Sequence, residues 1–283
     1  MSKPLAEVMA IVNRTPDSFY DKGATFASEK ALSRIDGAVS AGASIIDIGG
    51  VKAGPGDDVS VAEEIERVVP LIAAARGRHP DVTLSVDTWR APVAEAAIEA
   101  GADLINDTWA GFDPELVEVA GQHRVGYVCS HTGGVTPRTR PHRVHYDDVV
   151  ADVIAETTAL AERAASLGVP EERIFIDPTH DFGKNTYHGL ELLRRVDELV
   201  ATGWPVLMAL SNKDFVGETL NRGLNGADIT ERVPGTLAAT AWAAARGVAA
   251  FRVHEVEATL DVIRMTAAIQ GEMAPLHTVR GFA

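Results

Sequence analysis

The sequence predicts an α/β protein, a single-domain (β/α)8 barrel, from three observations. Eight short apolar runs alternate with longer segments whose apolar residues recur at helical spacing. Each run is followed closely by a polar or charged residue. The length of 283 residues is near the roughly 250 residues of such barrels. An open doubly wound sheet is the alternative, but no Gly-x-Gly-x-x-Gly follows the first run, where Asn13 stands instead.

The predicted strands are short apolar runs bounded by turn residues, which is typical of parallel strands buried on both faces. In chain order they lie at 9–12, 45–48, 82–86, 103–105, 125–129, 173–176, 205–210 and 248–251. No linker, low-complexity stretch or short repeat separates them, so we expect one domain over residues 1–283.

The predicted helices follow the strands and show one apolar face each. In the first helix Leu32, Ile35 and Val39 share a face, and Ser28 is a suitable N-cap. The helices are predicted from 28 to the turn at 41–43 and at 60–76, 91–100, 114–122, 147–167, 187–201, 233–246 and 256–270. The Gly- and Asn-rich segment 213–230 is predicted as a loop that contains a short helix.

The composition excludes several classes of protein. A net charge of -14 argues against a sequence-independent nucleic-acid binder, because such proteins neutralise phosphates with a basic surface. No apolar run approaches the roughly 18 residues of a membrane helix, and Met1–Val8 lacks the features of a signal peptide. We therefore expect a cytoplasmic protein without membrane contact. The single cysteine, Cys129, excludes an internal disulfide, and its apolar surroundings predict an inert buried thiol.

Polar residues collect at one end of the predicted barrel. Arg252-Val253-His254 follows the last apolar run and brings a guanidinium and an imidazole to that end. The carboxyl ends of parallel strands meet at one rim, where barrels of this class build their sites, so we expect an anion site there. The polar residues that follow the other runs are Asn13, Asp47, Asp87, Asn106, Asp107, His131, Asp177 and Lys213.

Several short phrases around these residues occur in a defined order. They are Asn13-Arg14-Thr15-Pro16-Asp17-Ser18-Phe19, Asp47-Ile48-Gly49-Gly50, Ser85-Val86-Asp87-Thr88, Ile105-Asn106-Asp107, Asp177-Pro178, Phe182-Gly183-Lys184, Ser211-Asn212-Lys213 and Arg252-Val253-His254. In this order and at these spacings they resemble dihydropteroate synthase, from about Val8 to Ile269. The resemblance implies a TIM barrel that binds a pterin deep in its mouth. That family joins 6-hydroxymethyl-7,8-dihydropterin diphosphate to 4-aminobenzoate and releases diphosphate, usually as homodimers with Mg²⁺.

The resemblance also assigns roles to individual residues. The positions that match the family's pterin-binding residues are Asp87, Asn106, Asp177 and Lys213. The positions that match its diphosphate-binding residues are Asn13, Arg252 and His254, with Asn13 as the metal ligand. The expected catalytic residues are Lys213, Arg252 and His254. Carboxylates and amides suit the donor-and-acceptor edge of a pterin, and cations suit the charge that develops on a departing diphosphate.

Structural roles remain open for some of these residues. Asp87 and Asp177 could instead cap the helices that follow their strands. Arg252 could form an ion pair with Glu255 or Glu257.

The second loop departs from the family pattern. It usually reads Gly-Gly-Glu-Ser-Thr-Arg-Pro-Gly, and the corresponding residues here end in Lys52, Ala53, Gly54, Pro55 and Gly56. Ala53 and Gly54 replace the threonine and the arginine, which in the family help to shape the aminobenzoate site. A hydroxyl donor and a cation are lost together, and Gly54 makes an ordered closed loop more costly.

Further departures lie on the same rim. A Ser-Arg-Lys-Ser-Phe phrase is changed by Asn212 and Asp214, and a Met-His-Met phrase has become 130–132, where His131 is a further candidate ligand contact. The Asp-Pro-Gly-x-Gly-Phe-Gly-Lys loop, at 177–184, lacks two glycines, and Arg14 replaces an apolar residue beside the first strand.

These changes surround the acceptor and spare the pterin end. We therefore predict a paralogue that binds the pterin diphosphate with weak or absent synthase activity, because positioning of two substrates contributes much of the rate. One alternative is an active synthase that uses Lys52 and Arg14 as substitute acceptor contacts. Others are another pterin-dependent transferase, such as a methyltetrahydrofolate-dependent methyltransferase, and a regulatory or chaperoning protein. Homodimerisation is implied by the resemblance, and Trp242, Ile263 and Met265 of the last two helices are compatible with it.

Overall fold

The computed structural model describes residues 4–14, 28–139, 145–225 and 227–280, so most of the first loop lies outside the described chain. Its strands are β1 Glu7–Asn13, β2 Ile45–Gly49, β3 Thr83–Asp87, β4 Leu104–Asp107, β5 Gly126–Ser130, β6 Ile174–Asp177, β7 Leu207–Met208 and β8 Ala250–Val253. They form one parallel sheet in the order β6-β5-β4-β3-β2-β1-β8-β7. A parallel bridge between Ile176 and Val206 joins the two ends of this sheet. The predicted (β/α)8 barrel is confirmed.

The α-helices surround this sheet. They are α1 Ser28–Ser40, α2 Val61–Arg78, α3 Ala91–Glu99, α4 Leu116–His123, α5 Val149–Ser166, α6 Thr186–Arg194, α7 Val196–Val200, α8 Asp214–Leu220, α9 Val233–Ala244 and α10 Val256–Ile269. The single helix predicted at 187–201 is divided at Arg195, whose φ of -108° and ψ of 24° are not helical. The Arg195 guanidinium there donates to Asp148 at 2.9 Å and to Glu198 at 2.7 Å. Within the described ranges, no helix is both long and apolar enough to cross a membrane.

Two strands differ from the prediction in ways that affect the rim. β7 keeps only two residues of the predicted run 205–210. The amides of Ala249 and Ala250 both donate to the carbonyl of Val206, at 2.8 and 3.1 Å, so the ladder is locally irregular, as in a bulge. β8 lies two residues later than predicted. Arg252 is therefore inside β8 and not beyond its end.

The barrel interior is layered. One layer is an apolar cluster whose buried members all lie in strands. They are Met9, Ile45, Leu104, Val128, Phe175, Leu207 and Ala250. Because side chains two residues apart share a face of a strand, the next interior layer follows from the register. Its members are Ile11, Asp47, Asn106, Ser130, Asp177, Ala209 and Arg252, most of them polar. A polar layer thus rests on an apolar plug and forms the floor of the carboxyl mouth.

Candidate active site at the carboxyl mouth of the barrel

Arg252 is the centre of the polar floor. Its Nε donates to Asp47 Oδ2 at 2.6 Å, and its terminal nitrogen donates to Asp87 Oδ2 at 2.7 Å. Asp47 is fully buried and also accepts from Ser85 Oγ at 2.6 Å and from Asn106 Nδ2 at 3.1 Å. Strands β2, β3, β4 and β8 therefore contribute to one network around a single guanidinium.

The contacts of Arg252 rule out the alternative that it forms an ion pair with Glu255 or Glu257. The guanidinium pairs with Asp47 and Asp87 and not with Glu255 or Glu257, because its side chain points into the barrel. Glu255 instead accepts from Ser211 Oγ at 3.0 Å and from Asn212 Nδ2 at 3.2 Å. The Nε and one terminal nitrogen of the Arg252 guanidinium thus donate hydrogen bonds within the protein.

The buried carboxyls of the floor have shifted pKa values. Burial raises the pKa of Asp87 to about 7, against the opposing effect of Arg252 and with a further rise from the charge of Asp47. Burial raises the pKa of Asp177 to about 6, although the Thr179 amide and nearby cations favour its ionised form. Burial lowers the pKa of Arg252, but the two acids outweigh it and hold that pKa above its ordinary value. Asp87 and Asp177 therefore have pKa values near neutral pH, and such perturbed values are typical of functional sites.

Neither candidate acid caps the helix that follows its strand. Asp177 Oδ1 accepts from the Thr179 amide at 2.7 Å, well before α6 begins, and α6 is capped by Asn185. Asp87 accepts from Thr108 Oγ1 at 3.1 Å. The capping alternative is wrong for both acids among the described residues.

Asn106 has an unused acceptor in this floor. Its amide nitrogen donates to Asp47, while its Oδ1 is buried and accepts no hydrogen bond from the described residues. Buried polar atoms are nearly always paired in native proteins, so a ligand N–H that reached the floor would satisfy this oxygen.

A cavity of ≈ 810 Å³ opens above the floor. The predicted residues that line it are Asn13, Lys52, Ala53, Gly54, Pro55, Asp87, Asn212, Lys213, Arg252 and His254. Asn106 and Asp177 are buried, at 0% and 2% exposed, and lie outside this lining. The structure therefore brings most of the predicted site together at one mouth.

Two aromatic residues complete one wall. Phe182 lines the cavity, its ring centroid lies 5.0 Å from Lys213 Nζ, and Trp109 packs edge-on against it at 5.0 Å. Trp109 was missed by the sequence analysis. Its place directly after the polar end of β4 is the signal that could have found it. A flat ring system can stack against such a wall.

In the loop after β6, two residues that are not glycine adopt the positive φ values that favour glycine. Thr179 has φ of 48° and Asp181 has φ of 70°, and these are the two positions at which the family phrase has glycine. Gly183 remains at φ of 61°, where an added Cβ would lie 2.1 Å from the Thr132 carbonyl oxygen. The loop therefore has a backbone conformation that suits the family's glycines, but carries side chains at two of those positions.

Lys184 stabilises this loop through hydrogen bonds to its backbone carbonyls. Its ammonium is buried and donates to the carbonyls of His131, Phe182 and Thr179 at 2.9, 3.0 and 3.3 Å. Burial lowers the pKa of Lys184 to about 7. Its contacts are those of a structural residue.

The prediction of a ligand contact for His131 is wrong for the described cavity. Ser130 faces the barrel interior, so the next side chain faces the helices. His131 is fully buried, and its Nε2 lies 2.7 Å from Asp152 Oδ1 and 3.4 Å from Glu156 Oε2 on α5. Burial lowers the pKa of His131 to about 4.

The residues near Asn13 offer a limited donor set for Mg²⁺. An ideal Cβ on Gly49 would lie 3.5 Å from both Asn13 Oδ1 and Asp87 Oδ2, so the glycine leaves these two oxygens facing a common space. Asp87 is also tied to Arg252. Because Mg²⁺ keeps several waters and often binds through substrate phosphates, this set fits the ion only together with a ligand's diphosphate.

These features define a (β/α)8 barrel with a small-molecule site at its carboxyl mouth, whose buried acids and amide suit a flat heterocycle rich in N–H groups. A family model described as pterin binding enzyme matches residues 9–254, and the chain belongs to that family. The family resemblance seen in the sequence is confirmed.

Similar proteins include relatives of two kinds. Inactive dihydropteroate synthase 2 of Mycobacterium leprae is 62% identical over 280 residues, which cover 98% of this chain and 94% of that protein. Dihydropteroate synthase of Streptococcus pyogenes is 38% identical over 260 residues, which cover 91% and 93%. The solved structure of Xanthomonas albilineans dihydropteroate synthase with 4-aminobenzoic acid has a TM-score of 0.84 at 38% identity, and covers 94% of this chain and 93% of that one. The chain is a dihydropteroate synthase-like protein that is more similar to the inactive relative.

Proposed function

We propose that this protein binds a pterin of the 6-hydroxymethyl-7,8-dihydropterin diphosphate type and has weak or absent synthase activity. The observation that carries the proposal is a contrast within one cavity. The floor keeps its network of Asp47, Asp87, Asn106 and Arg252. The facing loop has Ala53 and Gly54, beside Lys52, at the positions where the family has a threonine and an arginine. A methyl group and a hydrogen atom cannot orient a polar acceptor.

The floor suits the hydrogen-bonding edge of the pterin. In their ionised forms Asp87 and Asp177 accept hydrogen bonds from ring and amino N–H groups, and such bonds favour the ionised form. Asn106 Oδ1 is a further buried acceptor without a donor among the described residues. The wall of Phe182 and Lys213 suits one face of the ring. The diphosphate would lie towards Lys213, His254 and Asn13, which line the same cavity.

The alternative of an active synthase with substitute contacts has little support. Arg14 is only 9% exposed and is not among the cavity-lining residues. Burial and the neighbouring charge of Arg67 lower the pKa of Arg14, but a guanidinium stays charged at neutral pH, so its position outside the lining is what separates it from the acceptor. Lys52 lines the cavity, so the substitute contact would rest on Lys52.

The test combines a turnover assay with a restoring variant. Purified protein should release diphosphate and form dihydropteroate far more slowly than an ordinary synthase, and comparable turnover would contradict the proposal. Ala53→Thr with Gly54→Arg should raise turnover. The site accepts the larger residue, since an ideal Cβ on Gly54 meets nothing nearer than Lys52 Cε at 3.9 Å. Gly77→Arg in α2 is the matched control, because Gly77 also has open space around its Cβ and lies outside the cavity lining.

Three further properties belong to the same proposal. Mg²⁺ would bind with the diphosphate through Asn13, and a titration of the pterin diphosphate with and without Mg²⁺ tests this. The protein would act in the cytoplasm, which fractionation of producing cells tests.

The protein would also form a homodimer through an apolar groove of ≈ 390 Å³ between α6, α8 and α9, which includes Trp242 at 46% exposed. Of the other two apolar residues named as compatible with a dimer, Met265 is exposed, whereas Ile263 is 2% exposed and packs in the core. Light scattering of wild type and Trp242→Glu tests the dimer.

A further inference from the structure

The outer end of the cavity carries two aspartates where the family phrases have glycine and serine. Asp181 lies in the loop after β6, Asp214 begins α8, and both line the cavity. Asn212 and Gly54, which also line the cavity, stand where those phrases have arginine. This end has therefore lost positive charge and gained negative charge.

Asp181 is held in place by the backbone of the facing segment. Its Oδ2 accepts from the amide of Asp214 at 2.6 Å, and its Oδ1 accepts from the amide of Phe215 at 3.4 Å. The Asp181 carboxylate therefore accepts hydrogen bonds from two backbone amides, which are then not available to donate to a bound anion. Lys213 is the nearby cation that opposes the charge of Asp181.

Asp214 has a weaker influence on the cavity. Its Oδ1 pairs with a terminal nitrogen of Arg232 at 2.8 Å, and its side chain is 73% exposed. Solvent and the arginine therefore compensate most of its charge. Of the two acids, Asp181 is the less exposed to solvent and is therefore the one whose charge acts more strongly on a group in the cavity.

Asn212 supplies an independent sign of a donor-bearing ligand. The residue lines the cavity and is 4% exposed, and its Nδ2 donates to Glu255 Oε1 at 3.2 Å. Its Oδ1 is buried and accepts no hydrogen bond within the described ranges. A buried amide oxygen without a donor is unfavourable, and a ligand N–H would satisfy it.

We propose that the outer end of this cavity selects a neutral or cationic group with N–H donors and rejects a carboxylate, and that Asp181 is the specificity-determining residue. The ligand would be a pterin whose distal substituent ends in an amide, amine or amidinium. This inference rests on the proposed pterin binding and deepens it. At a distance of about 5–6 Å and an effective dielectric constant of about 20–40, repulsion by Asp181 should weaken binding of a carboxylate roughly tenfold to hundredfold.

The test uses three probes of nearly the same shape. We would titrate 4-aminobenzoate, 4-aminobenzamide and 4-aminobenzamidine into the protein by calorimetry. Each titration is made with and without saturating 6-hydroxymethyl-7,8-dihydropterin, which lacks the leaving group. The variants are Asp181→Gly, which suits the φ of 70°, and Asp214→Ser. Asp81→Gly is the matched control, because it removes the same charge from an exposed position outside the cavity lining.

We expect the amidine to bind at least tenfold more tightly than the benzoate, with the amide between them. Asp181→Gly should reduce that preference at least tenfold, Asp214→Ser should reduce it less than about threefold, and Asp81→Gly should leave it unchanged. Equal binding of the probes, tighter binding of the benzoate, no binding of the amidine, or no effect of Asp181→Gly would overturn the inference. If the amidine preference is present but the dihydropterin gives no heat, the proposed function fails and the selectivity of this end stands.

Discussion

Replacement of Arg252 by Gln should destabilise the protein strongly, because Arg252 is the counter-ion of two acids in the barrel interior. Asp47 is fully buried and lies 2.6 Å from Nε, and Asp87 lies 2.7 Å from the terminal nitrogen. Removing one partner of a buried ion pair leaves an uncompensated charge and costs about 3–5 kcal/mol. Since whole domains are stable by about 5–15 kcal/mol, Arg252→Gln should remain folded but with a much lower urea midpoint.

The pH dependence of this loss has a definite sign. Without the cation, the pKa of Asp87, which burial already raises, rises further above its unfolded value. The folded variant then binds more protons than the unfolded chain, so its stability increases as the pH falls. The deficit relative to wild type should be larger at pH 8 than at pH 6, as measured by urea unfolding followed by circular dichroism.

A matched variant and a double variant sharpen this test. Arg78→Gln removes an exposed arginine whose ion pair with Asp36 is at the surface, and should leave the midpoint nearly unchanged. Asp87→Asn with Arg252→Gln should recover about 1–3 kcal/mol relative to the sum of the single variants, because the two residues are in contact. A loss below about 1 kcal/mol for Arg252→Gln at pH 8 would refute the reasoning and leave Arg252 as a residue reserved for the ligand.

Three further predictions concern the floor and the loop after β6. Asp177→Asn should weaken pterin binding about tenfold to hundredfold and remove the loss of affinity expected below pH 6, which calorimetry at pH 5 and 8 measures. His180 is buried with both ring nitrogens unpaired among the described residues, and burial lowers its pKa to about 3. The unfolded chain therefore binds the proton first, so stability is lost as the pH falls below about 6.5, and wild type should lose about 2 kcal/mol more than His180→Phe between pH 7 and pH 5. Gly183→Ala should cost about 2–4 kcal/mol, because its Cβ would meet the Thr132 carbonyl, whereas Gly203→Ala, also at positive φ but with open space, should cost about 1 kcal/mol in thermal unfolding.

Much of the site could be predicted because a parallel strand has a period of two. Once Met9 is placed inside the barrel, Ile11 and Asn13 must face the mouth, and both line the cavity. Once Val128 is placed inside, Ser130 at the end of β5 must face the interior as well. The same rule predicts that His131 faces outward, since it follows the inward-facing Ser130. The expectation of a ligand contact for His131 ignored that parity and was wrong.

Other features depend on contacts that no local pattern contains. The pairing of Arg252 with Asp47 joins residues 205 positions apart, and it changes the arginine from an open anion ligand into the centre of the floor. The positive φ values of Thr179 and Asp181 are also unexpected, because such residues rarely adopt them without outside support. That support comes from the His131 amide, which donates to Thr179, and from the amides at the start of α8.

The most direct test of pterin binding without efficient synthesis is a crystal soaked with 6-hydroxymethyl-7,8-dihydropterin diphosphate and then with 4-aminobenzoate. We expect the pterin edge within hydrogen-bonding distance of Asp177 and Asn106, the ring beside Phe182, and no ordered aminobenzoate next to Asp181. A pterin bound elsewhere, or dihydropteroate formed in the crystal with its benzoate ordered beside Asp181, would contradict this expectation.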